Sequence, residues 1–164
     1  MAEMPAITAA QPDPRKFRDP FVTAAGERRA QVALRGLDTL WFNTGTLCNL
    51  TCKHCYIESS PKNDRLVYLS AAEVGEYLDE IERLGLRTGL IGFTGGEPFM
   101  NPELPTMLDR ALGRGFRVLV LTNAMKPMHK MTRALLGLRD RYGERLTIRV
   151  SIDHYGPAVH ETER

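Results

Sequence analysis

Three cysteines with metal-ligand spacing are the residues best suited to do chemistry in this sequence. Cys48, Cys52 and Cys55 are the three cysteines of the chain, and they lie at spacing C-x3-C-x2-C within CNLTCKHCY. Thiols clustered in this way are typical of metal or iron–sulfur sites rather than of a disulfide framework. Core packing gives no reason to place three thiols so close together, so we expect all three to be ligands.

The number of cysteines bears on the kind of site. A structural zinc ion normally has four ligands. His54 is a candidate for the fourth, but it adjoins Cys55, and the backbone would be strained if both side chains reached one ion. A [4Fe–4S] cube has four irons that each need a ligand, so three thiolates leave one iron open for a substrate or cofactor. The sequence therefore favours a cluster, with zinc as the alternative.

The cysteine segment is expected to be a curled loop. A straight helix would separate Cys48 from Cys55 by about 10 Å, at about 1.5 Å per residue, which is too far for the ligands of one compact cluster. Asn49 and Thr51 are poor helix formers and do not resist a loop. The loop follows residues 37–42, an apolar stretch predicted as the first strand. It therefore falls at the carboxyl end of that strand, the edge where α/β folds carry their active sites.

The rest of the chain alternates predicted helices and strands. Ser70 and Glu73 form a capping box, and Asn101 before Pro102 is expected to open a second helix. The predicted elements are a helix from Ser70 to about Gly85, a strand over 89–93, a helix from Asn101, a strand over 116–121, a helix over 127–138 and a strand over 146–153. Such alternation predicts an α/β fold with a parallel sheet.

The last predicted strand has one polar face. Alternation puts Leu146, Ile148, Val150 and Ile152 on one face and Thr147, Arg149, Ser151 and Asp153 on the other. A central parallel strand is usually apolar on both faces. The polar face therefore suggests that this strand lines a pocket, as inward residues near the top of a barrel do.

The cysteine loop and four further motifs, in order along the chain, resemble those of the radical S-adenosylmethionine (radical SAM) superfamily. The cysteine loop resembles its C-x3-C-x2-C signature, with His54 where an aromatic residue is common. The other matches are Gly95-Gly96-Glu97-Pro98, similar to a GGEP motif; Thr122-Asn123, with Ala124 in place of a usual glycine; Ser151-Ile152-Asp153; and His160 with Arg164. Because these motifs follow successive predicted strands, they strengthen one another.

The resemblance implies two cofactors, a [4Fe–4S] cluster and S-adenosylmethionine (SAM). It implies that the cysteines bind the cluster and that SAM chelates the open iron through its amino and carboxylate groups. Backbone carbonyls of the GGEP segment would accept hydrogen bonds from the amine of SAM. The residues expected to bind the cofactor are Gly95, Gly96, Glu97, Asn123, Ser151, Asp153 and Arg164. Bracing of the loop is an alternative for Glu97, and turn capping is an alternative for Asn123.

The resemblance also implies a reaction. An external low-potential donor reduces the cluster, SAM is cleaved reductively, and the resulting 5′-deoxyadenosyl radical abstracts hydrogen from an unknown substrate.

The fold implied is a partial (β/α) barrel with about four strand–helix units, apparently truncated relative to the six of the superfamily. We expect residues 37–164 to be this partial core and residues 1–36 to be an N-terminal arm with a possible short helix over 24–36. The alternatives are a non-catalytic zinc or cluster module that binds a partner and an inactive remnant of an enzyme.

Composition excludes several other classes. The 164 residues are 43% hydrophobic and 26% charged with a net charge of +2, an ordinary globular balance that gives no sign of nucleic-acid binding. No apolar stretch approaches the roughly 20 residues of a membrane span, and the N-terminus does not resemble a secretory signal. We therefore expect a cytoplasmic location.

Overall fold

The computed structural model of the protein describes residues 13, 14, 16 and 18–163. The chain divides into two compact units between Arg35 and Gly36. In the first unit, the helix predicted over 24–36 is wrong. The Thr23 N–H donates to the Glu27 carbonyl at 2.8 Å, which closes a turn. Gly26 in this turn has a φ of 85°, a left-handed conformation that does not continue a helix.

The second unit contains a parallel sheet, as the alternating pattern predicted. Among the described residues, the sheet has four strands in the order β1-β2-β3-β4, and all neighbouring pairs are parallel. The strands are β1 (Thr39–Asn43), β2 (Leu90–Thr94), β3 (Arg117–Thr122) and β4 (Leu146–Val150). Parallel pairing places all four carboxyl ends at the same edge of the sheet.

Helices connect the strands. They are α1 (Ala71–Arg83), α2 (Leu104–Gly113), α3 (Lys126–Lys130), α4 (Thr132–Tyr142) and α5 (Pro157–Glu163). The predicted capping box at the start of α1 is confirmed, because the Ser70 and Glu73 side chains each bond to the other residue's backbone. None of the helices in the described part of the chain is both long and apolar enough to cross a membrane.

The core lies on one face of the sheet. Phe42, Ile91, Phe93, Val118 and Val120 of β1, β2 and β3 are buried together with apolar residues of α1, α2 and α4. The residues that α1 and α2 contribute include Val74, Leu78, Ile81, Leu104, Met107, Leu108, Ala111 and Leu112. Burial of this apolar face holds the sheet rigid, so the loops at its carboxyl edge start from fixed positions.

Two predicted helix bounds need correction. The second helix begins at Leu104 rather than at Asn101, although Asn101 Oδ1 accepts from the Glu103 N–H at 2.9 Å just before the helix. The Asn101 Nδ2 donates to the carbonyls of Leu69 at 2.7 Å and Thr44 at 3.3 Å, so Asn101 joins the two segments that flank the cysteine loop. The predicted helix over 127–138 is two helices, α3 and α4, which meet at Met131.

The last strand is shorter than predicted. It ends at Val150, and Val150 and Ile152 on the expected buried face are exposed. Leu146 and Ile148 do pack against the core. The Ser151 N–H still donates to the Thr122 carbonyl at 2.9 Å, so the chain runs beside β3 for one residue beyond the strand. This contact brings the residues after β4 to the edge where the other motifs lie.

Candidate functional site

One open cleft at the carboxyl edge of the sheet collects the predicted motifs. Its volume is about 520 Å³. The predicted residues that line it are Cys48, Cys52, Cys55, Gly95, Gly96, Asn123, Ser151 and Asp153. Leu50, His54, Tyr56, Ser59, Thr94, Leu121 and Thr122 line it as well. Segments that are far apart in sequence therefore form one site, as the order of the motifs predicted.

The cysteine loop is curled and fixed at its base. Thr46 is buried, and its hydroxyl donates to the Asn63 carbonyl at 3.0 Å and accepts from the Leu66 N–H at 3.0 Å. Leu47 and Ser60 form a parallel bridge, and the Cys48 N–H donates to the Ser60 carbonyl at 3.1 Å. The two ends of the loop are thus held together, and no helix forms between them, as the ligand spacing predicted.

Backbone N–H groups point at two of the thiols. The Leu50 N–H donates to Cys48 Sγ at 3.4 Å, and the Ser59 N–H donates to Cys55 Sγ at 3.2 Å. Hydrogen bonds to the ligand sulfurs are one of the features by which a protein tunes an iron–sulfur cluster. The loop therefore already presents the donors that a cluster-binding thiolate needs.

Gly95 and Gly96 allow the GGEP segment to pack directly on the backbone of the cysteine loop. The Gly96 N–H donates to the Gly45 carbonyl at 2.9 Å, and the next N–H donates to the Leu47 carbonyl at 3.0 Å. A Cβ on Gly95 would lie 2.7 Å from the Gly45 carbonyl oxygen, and one on Gly96 would lie 2.7 Å from the Leu47 carbonyl carbon. Either side chain would separate the two segments that form the cleft.

Glu97 braces the site from within. It is 2% exposed and is not among the residues that line the cleft. Its Oε1 accepts from the Thr122 hydroxyl at 2.7 Å and from the Phe99 N–H at 3.2 Å. Its Oε2 accepts from the Asn123 N–H at 2.8 Å. The carboxylate therefore joins the GGEP segment to the end of β3, which is the bracing role rather than the ligand-binding one.

Asn123 links the end of β3 to the cysteine loop. Its Nδ2 donates to Asn49 Oδ1 at 3.0 Å and lies 3.9 Å from Cys48 Sγ, while its Oδ1 accepts from the Met125 N–H at 3.0 Å. Both of the roles considered for Asn123 are thus compatible with its position, because it caps a turn and also lines the cleft.

The backbone conformation at Ala124 explains why the motif that this segment resembles has a glycine at this position. Its φ is 56°, in the left-handed region, where a Cβ is unfavourable. We expect Ala124→Gly to raise the free energy of unfolding by about 1 kcal/mol, because the strain is relieved. Ala134→Gly in the exposed part of α4 is the control and should lower it by about 1 kcal/mol. Urea unfolding of both variants measures this, and a destabilised Ala124→Gly variant would contradict it.

Burial makes Cys48 the least reactive thiol of the metal-free chain. Desolvation raises the pKa of Cys48, although the Leu50 N–H opposes the shift, and Cys48 is only 7% exposed. At about pH 8, we expect iodoacetamide to alkylate Cys48 at least about tenfold more slowly than Cys52 and Cys55. Peptide mass spectrometry over time measures the three rates. The three should converge in guanidinium, and equal rates in the folded chain would show that Cys48 is not buried.

The donor set suits an iron–sulfur cluster. Free thiols of Cys48, Cys52 and Cys55 share one cleft. Within the described residues, no group of three His, Cys, Asp or Glu side chains is arranged so that it could hold a metal ion. A [4Fe–4S] cube takes each thiolate on a different iron, so its ligands stand further apart than the ligands of one ion.

One expected site residue falls outside the described residues, and one residue of the cleft was missed. Arg164 lies outside the described residues. His160 Nδ1 lies 3.7 Å from Asp153 Oδ2, so α5 contacts the segment after β4. Ser59 was not singled out from the sequence. A serine near cysteines gives no signal of its own, and only the fold shows that it lines the cleft.

Comparison with known proteins decides the family. A family model described as the radical SAM superfamily matches residues 42–162. The chain belongs to the radical SAM superfamily. Proteins of this superfamily use a [4Fe–4S] cluster and SAM, which agrees with the chemistry that the cleft presents.

Radical SAM relatives are similar over part of their length. The chain is 33% identical over 117 residues to the antilisterial bacteriocin subtilosin biosynthesis protein AlbA of Bacillus subtilis, covering 71% of this chain and 24% of AlbA. It is 35% identical over 95 residues to the mycofactocin maturase MftC of Mycobacterium tuberculosis, covering 56% of this chain and 23% of MftC. The chain thus spans about a quarter of the length of these relatives.

Solved structures show the same radical SAM fold. Streptococcus suis SuiB bound to its precursor peptide SuiA superposes with a TM-score of 0.63 at 16% identity, covering 77% of this chain and 27% of SuiB. SuiB bound to S-adenosylmethionine gives a TM-score of 0.61 at 16% identity, covering 76% and 27%. The expectation of an α/β fold with part of the radical SAM barrel is therefore confirmed.

Proposed function

We propose that this chain binds a [4Fe–4S] cluster through Cys48, Cys52 and Cys55 and holds SAM beside it, as part of a radical SAM enzyme. The observation that carries the proposal is the single cleft in which all three thiols meet the glycines of the GGEP segment, Asn123 and the residues after β4. Family membership supports the class of cofactor, and the lining of the cleft supports the choice of these residues.

The polar groups of the cleft match those of SAM. We find no hydrogen bond from any described residue to the carbonyl oxygens of Gly95 or Gly96, and both residues line the cleft. These two carbonyl oxygens are therefore available to accept hydrogen bonds from the cationic amine of SAM. Asn123, Ser151 and Asp153 supply further polar groups for its ribose or amino acid portion. Arg164 is proposed on the motif alone to pair with its carboxylate.

The chain's part in the reaction is binding and orientation. Cys48, Cys52 and Cys55 would hold the cluster, which would supply the one-electron reduction that cleaves SAM to methionine and a 5′-deoxyadenosyl radical for hydrogen abstraction from a substrate. An external low-potential donor would supply the electron. The hydrogen bonds of Thr46 at the base of the cysteine loop, and those of Glu97, would hold the thiols and the GGEP carbonyls in fixed positions during this reaction.

The extent, location and substrate of the protein are also proposals. We propose residues 37–164 as a partial core domain, since the family match falls inside this range, and residues 1–36 as an arm. We propose a cytoplasmic location, where thiols stay reduced. A precursor peptide is the first substrate class to test, because SuiB binds the peptide SuiA and AlbA acts in bacteriocin biosynthesis.

Binding of SAM at an open iron tests the proposed function. The chain is reconstituted anaerobically with iron and sulfide and reduced with dithionite, and its electron paramagnetic resonance spectrum is recorded. SAM should change the spectrum of the reduced cluster, and 5′-deoxyadenosine, which lacks the chelating amino and carboxylate groups, should not. An unchanged spectrum at saturating SAM would overturn the proposal, and assay of released 5′-deoxyadenosine then measures cleavage.

A further inference from the structure

Ser59 carries a buried hydroxyl group without a partner, and the residue lines the cleft. The residue is 4% exposed, and its Oγ accepts or donates no hydrogen bond among the residues that the structure describes. Ser59 lines the same cleft as Cys48, Cys52 and Cys55. A hydroxyl in this condition has lost its hydrogen bonds to water and gained none from the protein, which is unfavourable.

The backbone around Ser59 is held at two points. The Ser59 N–H donates to Cys55 Sγ at 3.2 Å, and the carbonyl of the next residue, Ser60, accepts from the Cys48 N–H at 3.1 Å. The position of the Ser59 Cβ is thus set by the same contacts that position two cysteines. The hydroxyl keeps only rotation about its side-chain bonds, and that rotation decides which neighbouring group it bonds to.

A second buried hydroxyl without a partner lies outside the cleft. Thr88 Oγ1 is also buried and unpaired within the described part of the chain. Thr88 precedes the start of β2, whereas the cleft lies at the carboxyl ends of the strands, and Thr88 is not among the residues that line the cleft. Thr88 is therefore a matched control that has the same local defect without access to the cluster site.

We propose that the Ser59 hydroxyl donates a hydrogen bond to a sulfur atom of the bound cluster and raises its reduction potential. The inference rests on the proposed function, since it requires the cluster. Reduction adds negative charge to the cluster sulfurs, so a donor interacts more strongly with the reduced form and favours it. Through this direct contact, Ser59 sets how readily the cluster accepts an electron.

Two measurements on Ser59→Ala, Ser59→Thr and Thr88→Val test this inference. The first is thermal unfolding of each metal-free chain. The second is a redox titration of each reconstituted chain, followed by electron paramagnetic resonance, with iron content measured on the same samples. Ser59→Thr retains the hydroxyl and should behave as the wild type does in the titration.

We expect Ser59→Ala to unfold at the same temperature as the wild type or at a higher one, because it removes an unsatisfied group. The equilibrium constant for reduction of its cluster should be about tenfold smaller. For one electron, this corresponds to a reduction potential about 59 mV lower. Thr88→Val should share the effect on unfolding and leave the potential unchanged. A wild-type potential in fully loaded Ser59→Ala would overturn the inference, and so would a lower unfolding temperature, which would reveal a structural partner.

Loss of the cluster from Ser59→Ala is also decisive. If the folded variant does not retain iron, recovery of the cluster in Ser59→Thr supports the role of the hydroxyl, and no recovery overturns it. Failure of the wild type itself to assemble a cluster would instead overturn the proposed function. The two failures are therefore distinguishable in one set of samples.

Discussion

Replacing Gly96 with alanine is expected to lower the free energy of unfolding by about 3 kcal/mol and to reduce iron binding at least about tenfold. The new Cβ would clash with the Leu47 carbonyl group and lie 2.9 Å from the Thr46 carbonyl oxygen. All of these are backbone atoms, so no side-chain rotation can relieve the overlap. The loop that carries Cys48 must then separate from the GGEP segment, which breaks the hydrogen bond from the Gly96 N–H to the Gly45 carbonyl.

Gly137→Ala is the matched control for Gly96→Ala. Gly137 lies within α4, and a Cβ there would meet nothing within 4 Å. The substitution should raise the free energy of unfolding by about 0.5–1 kcal/mol, because alanine is the better helix former. Urea unfolding and iron analysis measure both variants. Normal iron binding by Gly96→Ala would show that the close approach of the two segments is not required.

Removing the Glu97 carboxylate is expected to destabilise the chain by about 3–5 kcal/mol. In Glu97→Ala, the Thr122 hydroxyl and the N–H groups of Phe99 and Asn123 lose their acceptor inside the protein. Unpaired buried donors of this kind are among the few causes of such large effects. Denaturant unfolding of the metal-free chain gives the free energy directly.

Glu97→Gln separates the shape of this side chain from its bonding. Glutamine fills the same space but has one acceptor oxygen instead of two. Its amide nitrogen is a donor, and it would face the other N–H or hydroxyl group. We expect an intermediate loss of about 2 kcal/mol. Glu76→Ala, at an exposed position of α1, should change stability by less than about 0.5 kcal/mol. A Glu97→Ala variant as stable as Glu76→Ala would refute the bracing role.

Sequence patterns predicted the sheet because each parallel strand here is marked by its own apolar stretch and the helices between them are amphipathic. The capping box at Ser70 and the strand over 90–94 were predictable for this reason. The single residue that divides α3 from α4, Met131, leaves the apolar periodicity intact and gives no such signal. The turn at Gly26 was missed because the stretch around it has residues compatible with a helix, and the backbone bonds decided otherwise.

The sequence predicted which residues line the cleft better than it predicted the contacts that they make. The thiols and the GGEP glycines have types and spacing that suggest their chemistry, and they line the cleft. The sequence left open whether Glu97 would bind a ligand or brace the loop, because that depends on which donors the fold brings to it. The buried hydroxyl of Ser59 was not predictable at all, since solvent exclusion depends on the whole loop.

The most direct measurement of the central claim is the iron, sulfide and zinc content of the anaerobically reconstituted chain. Wild type should hold about four iron and about four sulfide per chain, the content of one [4Fe–4S] cluster. Cys48→Ala, Cys52→Ala and Cys55→Ala should each lose most of it while remaining folded. Stoichiometric zinc without sulfide in the wild type, or iron content unaffected by all three substitutions, would contradict the assignment of the cleft as a cluster site.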